Sequence, residues 1–389
     1  MILTGRPDGP ALGPPEGLVP YLDTVARMIA AASEQVGDAV SIDPLQLLGE
    51  RAAISGFTRR GPISCGGGTR LLQAYDDWVG VSLTRGDDWE LVPAWLEVDL
   101  DVDGWDALAP IVADRTASEL VLRAGWLGLP VARLAERGPS SGRSAVRSGR
   151  LARDPSPVPI GGLVVADLTA LWAGPMVGDV LACAGANVVK VESSSRPDGA
   201  RRGPAAFFDL MNGRKRSVAL DLGSSDGRAT LRRVVDAADV VLTSSRARAV
   251  EQLGLDPELS VRSGRTRVWL SISGYGSGGR DAERVAFGDD AAVAGGLVSW
   301  DDDGPMFCAD AIADPATGMV ASAAVLGALA DGGRWLIDVS MADVAWDLAG
   351  PTVPARDLDA ARPTARRAVG RGPALGADTD AVLAELGVA

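Results

Sequence analysis

The 389-residue sequence contains no histidine. That absence removes the commonest general base near neutral pH and the commonest metal ligand together. Serine–histidine triads, zinc-protease motifs and histidine-based racemase pairs are excluded with it. Cysteine is nearly as scarce. Cys65, Cys183 and Cys308 are too few for a disulfide framework and fit no zinc spacing, which points to reduced thiols, a cytoplasmic protein and no metal site. No apolar run reaches the ~18–20 residues of a bilayer span, and residues 1–20 lack a basic segment followed by an apolar one. No membrane partner is expected. Basic residues number 38 against 51 acidic ones, for a net charge of −13, so a nonspecific nucleic-acid partner has no electrostatic support. An anionic ligand requires a local cluster of arginines.

What the chain does have is 47% hydrophobic composition over 389 residues, enough for a sizeable core and more than one domain. Residues 7–20 form a Pro/Gly-rich arm, followed by helical apolar spacing over 22–32. A second break, rich in Ser, Gly, Arg and Pro, covers 138–159 and reads as a linker. Between the breaks, 69–75 and 78–83 read as a hairpin around Asp76-Asp77. Helical patterns follow at 89–96, 105–111 and 117–124, the last with Thr116 as a cap; Pro93 and Pro110 weaken the first two. Residues 1–150 are thus expected to form a small α+β domain.

Residues 151–389 alternate strand and helix. Strand patterns occupy 163–168, 187–192, 217–222, 239–242, 268–273 and 335–339. Helical ones occupy 175–184, 225–237, 247–253, 315–330 and 341–348. This is the pattern of an α/β, Rossmann-like, mostly parallel sheet that binds ligands at the carboxyl ends of its strands. No GxGxxG follows the first strand, which disfavours a nicotinamide dehydrogenase.

Several segments carry a resemblance. They are Asp167-Leu168-Thr169 with Ala173-Gly174-Pro175, Gly185 to Glu192, Asn212 with Lys215 to Leu222, Ala238-Asp239-Val240, Ser271 to Gly276, and Ala313 to Met319. In order and spacing the chain resembles the family III CoA-transferases, which include formyl-CoA transferase, carnitine CoA-transferase and acyl-CoA racemases. Residues 69–83 and 124–131 resemble the family's smaller domain. Here that domain comes first, so the domain order looks permuted, or is the remnant of a tandem fusion. Residues 374–387 resemble the family's usual C-terminus.

The resemblance implies a CoA-transferase that moves CoA from an acyl-CoA to a carboxylic acid. No cofactor is permanently bound, coenzyme A is a substrate, and the assembly is an interlocked homodimer. Asp314 takes the place of the nucleophile that forms an aspartyl-CoA thioester, and Gly66, Gly67 and Gly68 that of a closing loop. Leu171, Trp172, Ser193, Leu220 to Gly223, Ser244, Ser245, Arg246, Gln252, Leu253 and Ser273 take the places of the CoA-binding residues. Departures from the family pattern at Ser193 and at Ser244-Ser245 weaken nucleotide recognition. Arg201, Arg202, Arg214, Lys215, Arg216, Arg246 and Arg248 remain as phosphate contacts, or as a solvated basic face.

Other readings stay open. Asp314 before Pro315 also fits a plain helix cap, with first-turn N–H groups free to hold an oxyanion. Gly66–Gly68 also fits a flexible turn. Gly288-Asp289-Asp290 stands where the racemases carry Gly-His-Asp, and it also fits a helix start with acids in its first turn. An isomerase, racemase or lyase on the same scaffold, or a non-catalytic relative with a degraded CoA site, are the competing functions.

Overall fold

The computed structural model describes residues 3–99, 104–138, 144–152, 156–350 and 361–388. The chain opens with helix α1 (Leu18–Val36), whose Leu18, Leu22, Val25, Ile29 and Val36 recur at helical spacing and are all buried. Helix α2 (Pro44–Ser55) follows. Asp43 caps it by accepting from the N–H groups of Leu45 and Gln46, Pro44 supplies a preset φ, and Gly56 ends it at φ 69°. Strands β1 (Thr69–Gln73) and β2 (Trp78–Ser82) form the expected hairpin. Next come α3 (Val92–Leu96), α4 (Trp105–Ala113), α5 (Ala117–Leu127) and β3 (Val131–Arg133). Pro110 lies inside α4, and Thr116 caps α5. The three strands make an antiparallel sheet, β1-β2-β3. Its core joins Val79 and Val81 to Trp95, Leu108, Val112 and Leu120 of the three helices.

The larger layer contains β4 (Val146–Ala152), β5 (Val164–Leu168), α6 (Ala173–Cys183), β6 (Asn187–Ser193), α7 (Ala205–Asn212), β7 (Arg216–Leu220), α8 (Ser225–Ala237), β8 (Val240–Thr243), α9 (Ala247–Gln252), α10 (Pro257–Ser263) and β9 (Val268–Ser273). Then follow α11 (Gly288–Ala294), the hairpin β10 (Val298–Asp301) and β11 (Gly304–Phe307), α12 (Ala313–Asp331), β12 (Arg334–Ser340), α13 (Met341–Leu348) and α14 (Thr379–Glu385). Seven strands form one sheet in the order β4-β12-β9-β8-β5-β6-β7. Six run parallel; β4 pairs antiparallel with β12 at the edge. The mostly parallel α/β sheet with a smaller antiparallel one is the fold class the sequence pattern indicates.

Two expectations are corrected here. The segment 138–159 is not simply a linker, because β4 within it completes the large sheet. Packing also crosses residue 150. α1 lies along α12, and its side chains share one core with α6, α12 and the inner face of the large sheet. The other correction concerns length. α12 is 19 residues and apolar enough to cross a membrane, yet 78% of that stretch is buried inside the protein. Its apolar residues point in every direction because sheet, α1, α6 and α13 surround it.

Candidate active site

β11 leads into α12 through a tight turn in which Ala309 (φ 57°) and Ala311 (φ 43°) both take left-handed backbone. Such conformations are costly for residues with a Cβ and cluster at functional sites. They bracket Asp310, which is fully buried. Three bonds hold the turn: Ala309 N–H donates to Thr4 Oγ1 at 3.0 Å, Ala311 N–H to Asp289 Oδ1 at 3.0 Å, and Asp314 N–H to the Ala311 carbonyl at 2.9 Å. Ile312 occupies the N-cap, so Asp314 sits one residue inside the helix and its carboxylate is not the cap. Of the N–H groups expected to hold an oxyanion, that of Asp314 is bonded and Pro315 has none.

Asp314, Asp310 and Asp289 form a carboxylate cluster facing one cation, Arg51 of α2. Arg51 donates from Nε to Asp310 Oδ2 at 2.8 Å and from Nη2 to Oδ1 at 2.6 Å, a two-pronged pair. Its guanidinium also lies 5.2 Å from the Trp172 ring centroid. Burial pushes the Asp314 carboxyl up to about 7; Arg51 opposes this, while Asp289 and Asp310 add to it. Asp289 is pushed up to about 6, by burial and then by Asp310. Gly288 makes this crowding possible, since a Cβ there would stand 2.4 Å from Asp314 Oδ2 and 2.4 Å from the Ala311 carbonyl oxygen.

Asp290 behaves differently. It is fully buried on α11, and one oxygen accepts from Ser82 Oγ at 2.8 Å and from the Phe287 N–H at 3.0 Å. Burial pushes it up to about 7. Its helix-start role is thus realised by bonding back to the residue before α11. Ser82 Oγ also lies 2.8 Å from Thr69 Oγ1, which reaches Asp289 Oδ2 at 3.4 Å, so hydroxyls of the small sheet link the two neighbouring acids.

The glycine segment meets this cluster. A Cβ on Gly66 would approach Phe57 at 3.7 Å and Arg51 Nη2 at 4.0 Å, and Gly66 itself is exposed. Gly67 takes φ 81°, and a Cβ on Gly68 would press to 2.5 Å from Thr84 Cγ2, so neither position admits a side chain freely. The preceding Cys65 donates from Sγ to the Ala309 carbonyl at 3.4 Å, tying the loop to the turn before α12. A loop from residues 64–69 and an acid at 314 thus share one locality within a single chain.

The residues matched to CoA binding lie at or beyond the carboxyl ends of β5 to β9, but not all of them face outward. Leu171 is 38% exposed at φ 70°, its N–H held by Asp198 Oδ1 at 2.9 Å. Trp172 and Leu220, at 1% and 7% exposure, are core side chains and can offer a ligand only main chain. The Trp172 indole packs edge-on against Phe207. Ser244 Oγ accepts from the Ala170 N–H at 3.2 Å, and Ser193 Oγ sits 3.1 Å from Ser195 Oγ. Gly223 and Gln252 are exposed and Leu253 half-buried. Ser245 and Ser273 line a cleft of about 540 Å³ with Trp269, Ser271 and Asp338.

Most of the candidate phosphate cations are already engaged. Lys215 is buried against Asp167 at 2.8 Å, Arg201 pairs with Glu192, Arg214 with Asp179 and Arg216 with Glu385, while Arg246 donates to the Glu283 carbonyl. Two further clefts, of about 860 Å³ beside α5 and about 430 Å³ at α4, lie elsewhere. Asp314 is partly buried and lines none of these three.

Sequence reasoning missed Arg51 and Asp310. The capping signals at Asp43-Pro44 and Gly56 could have revealed α2, but nothing local ties residue 51 to residue 310.

Curated relatives match just under half of the chain. A succinate–glutarate CoA-transferase of Agrobacterium fabrum is 32% identical over 206 residues, covering 48% of this chain and 52% of that protein. A probable fatty acyl-CoA transferase of Mycobacterium tuberculosis is 32% identical over 203 residues, covering 48% and 51%. A succinyl-CoA–D-citramalate CoA-transferase of Chloroflexus aurantiacus is 30% identical over 183 residues, covering 44% and 45%. The chain spans about half the length of the curated relatives it matches. The pattern that defines CoA-transferase family III matches residues 160–377, more than half of this chain and the part that carries the six parallel strands of the large sheet and Asp314, so the protein belongs to that family.

Proposed function

We propose that the protein transfers CoA from an acyl-CoA to a carboxylic acid, with Asp314 as the nucleophile. The observation that carries this reading is the placing of Asp314 at the start of α12, pushed up to about 7 and grouped with Arg51 beside the glycine segment. A carboxylate near its ionisation point at neutral pH is available as a nucleophile without any histidine. One Asp314 oxygen attacks the thioester carbonyl, the C–S bond breaks, and CoA leaves as thiolate. That thiolate attacks the Asp314 carbonyl of the mixed anhydride, releasing the donor acid and leaving an aspartyl-CoA thioester. The acceptor carboxylate attacks this thioester, and CoA thiolate then takes the acceptor acyl group and restores Asp314. In this reading residues 66–68 close over the reacting thioester, and three glycines give that segment the backbone freedom to do so. Coenzyme A acts as substrate, and a cytoplasmic homodimer is part of the same reading.

The test is mass spectrometry after incubation with a panel of acyl-CoA donors followed by hydroxylamine. A hydroxamate on the peptide containing Asp314, absent from Asp314→Ala, is expected. Full turnover in that variant overturns the mechanism.

A non-catalytic role is favoured by one observation, the partial seclusion of Asp314 together with serines at 193, 244 and 245. Calorimetric titration with CoA separates the two readings, since no binding at millimolar CoA leaves only the non-catalytic one. Racemisation is less well supported, because Asp289 stands where the racemases carry histidine and its oxygens accept from the Ala311 N–H and Thr69 Oγ1.

A further inference from the structure

Arg51 lies far from Asp314 in sequence and outside the residues the family pattern matches, yet it is built into the site from four sides. Asp310 grips it with two hydrogen bonds, at 2.8 and 2.6 Å. The Trp172 ring lies 5.2 Å from its guanidinium carbon and the Phe57 ring 5.9 Å. The glycine segment passes its Nη2, with Gly66 so close that a Cβ would touch at 4.0 Å. The geometry points to Arg51 as a positioning residue that fixes one positive charge against the Asp289–Asp310–Asp314 cluster and keeps Asp314 able to ionise in a protein interior.

The reasoning is electrostatic. Three carboxylates in one locality repel, and each added negative charge drives the next toward its protonated form. Asp310 is the natural partner of Arg51, because a two-pronged pair defines the guanidinium plane. The same positive charge also acts on Asp289 and Asp314. The aromatic neighbours favour a guanidinium over an ammonium, since its flat face stacks on rings. The charged and titratable groups facing Asp314 are Arg51 from α2, Asp289 from α11 and Asp310 from the preceding turn. Cys65, on the glycine segment, senses Asp310, Asp289 and Arg51. Its thiol is pushed up by burial and stays neutral.

This inference rests on Asp314 being the nucleophile, but its primary test does not require turnover. The Asp314 carboxyl is followed by carbon-13 NMR of aspartate-labelled protein, assigned by the signal lost in Asp314→Asn, in wild type, Arg51→Met, Arg51→Lys and Asp310→Asn. Arg51→Met should raise the titration midpoint of Asp314 by one unit or more. Arg51→Lys should raise it by less, and Asp310→Asn should lower it. In the acyl-enzyme assay, Arg51→Met should slow Asp314 acylation tenfold or more at pH 7 and approach wild type at pH 9. An unchanged midpoint in both Arg51 variants overturns the inference, as does a slowing that is equal at every pH, which marks a purely structural role. If Arg51→Met does not fold, Arg51→Lys and Asp310→Asn still decide by the direction of their shifts. A shifted midpoint without any acyl-enzyme would retain the role of Arg51 while removing the transferase reading.

Discussion

At the residue scale the site is governed by where protons reside. Asp314 and Asp290 are held up to about 7 and Asp289 to about 6, from an ordinary value of 3.8. Below about pH 4 both folded and unfolded forms carry these protons. Between 4 and 7 the unfolded chain has lost them while the folded protein keeps them, so folding takes up protons and stability falls as pH rises. Above about 7 the loss is complete. Asp290→Asn should therefore flatten the decline in melting temperature between pH 5 and pH 8 relative to wild type, as measured by calorimetry. An identical decline in both proteins would contradict the assignment. Gly288 gives a second prediction. In Gly288→Ala the new methyl, 2.4 Å from a backbone oxygen and from Asp314 Oδ2, must displace one of them, at a cost of about 1–3 kcal/mol. Urea unfolding reads that cost, and acylation of Asp314 should fall with it. Of these residues, Asp314 and Gly66–Gly68 were legible because they lie in short segments with recognisable spacing. Arg51 and Asp310 were not, because their importance comes from a pairing across 259 positions.

At the element scale, the six parallel strands of the large sheet were legible to within two residues, for a physical reason. Buried on both faces, they are runs of Val, Ile and Leu bounded by turns. α8 and α13 matched as well, each begun by a serine whose hydroxyl accepts from a first-turn N–H. α2, α7 and α10 did not stand out, and β4 was hidden because its residues are mostly Arg, Ser and Gly with only Val146 and Leu151 turned inward. The β5–α6 connection shows what the family segments do for structure. Lys215 donates to Asp167 Oδ2 at 2.8 Å and to the Pro175 carbonyl at 2.7 Å, while Lys190 pairs with Asp198 at 2.8 Å and donates to the Thr169 carbonyl at 2.9 Å. Asp167 in turn bonds Thr169, and Asp198 holds the Leu171 N–H. This buried network fixes Leu171 in its left-handed backbone at the mouth of the sheet. Lys215→Met should leave Asp167 with a lost partner and cost about 3–5 kcal/mol, read by chemical denaturation. A cost under ~1 kcal/mol would mean that Lys190 alone satisfies Asp167.

At the scale of the whole molecule, the first 138 residues and the remainder are not independent bodies. The small antiparallel sheet does precede the large one, but α1 and α2 belong to the core of the large layer. Leu18, Leu22 and Ile29 of α1, with Leu47 and Leu48 of α2, are at most 1% exposed within that core. At about 1.5–3 kcal/mol for each fully buried side chain, these five contribute on the order of 10 kcal/mol. That is comparable to the whole net stability of a domain, ~5–15 kcal/mol. The C-terminal segment adds to the same junction, since Arg366 grips the fully buried Glu50 of α2 through two bonds of 2.9 Å. A fragment beginning at residue 144 should consequently fail to fold cooperatively, although it contains every strand of the large sheet and the whole family-matched region. The expected signs are strong binding of a hydrophobic dye and loss of near-ultraviolet circular dichroism with helical signal retained. Supplying residues 1–138 as a separate chain should restore both, because the missing side chains need only return to the face of α12, not be covalently joined to it. A fragment that melts sharply on its own would place the structural boundary back near residue 150 and reduce α1 to a surface covering.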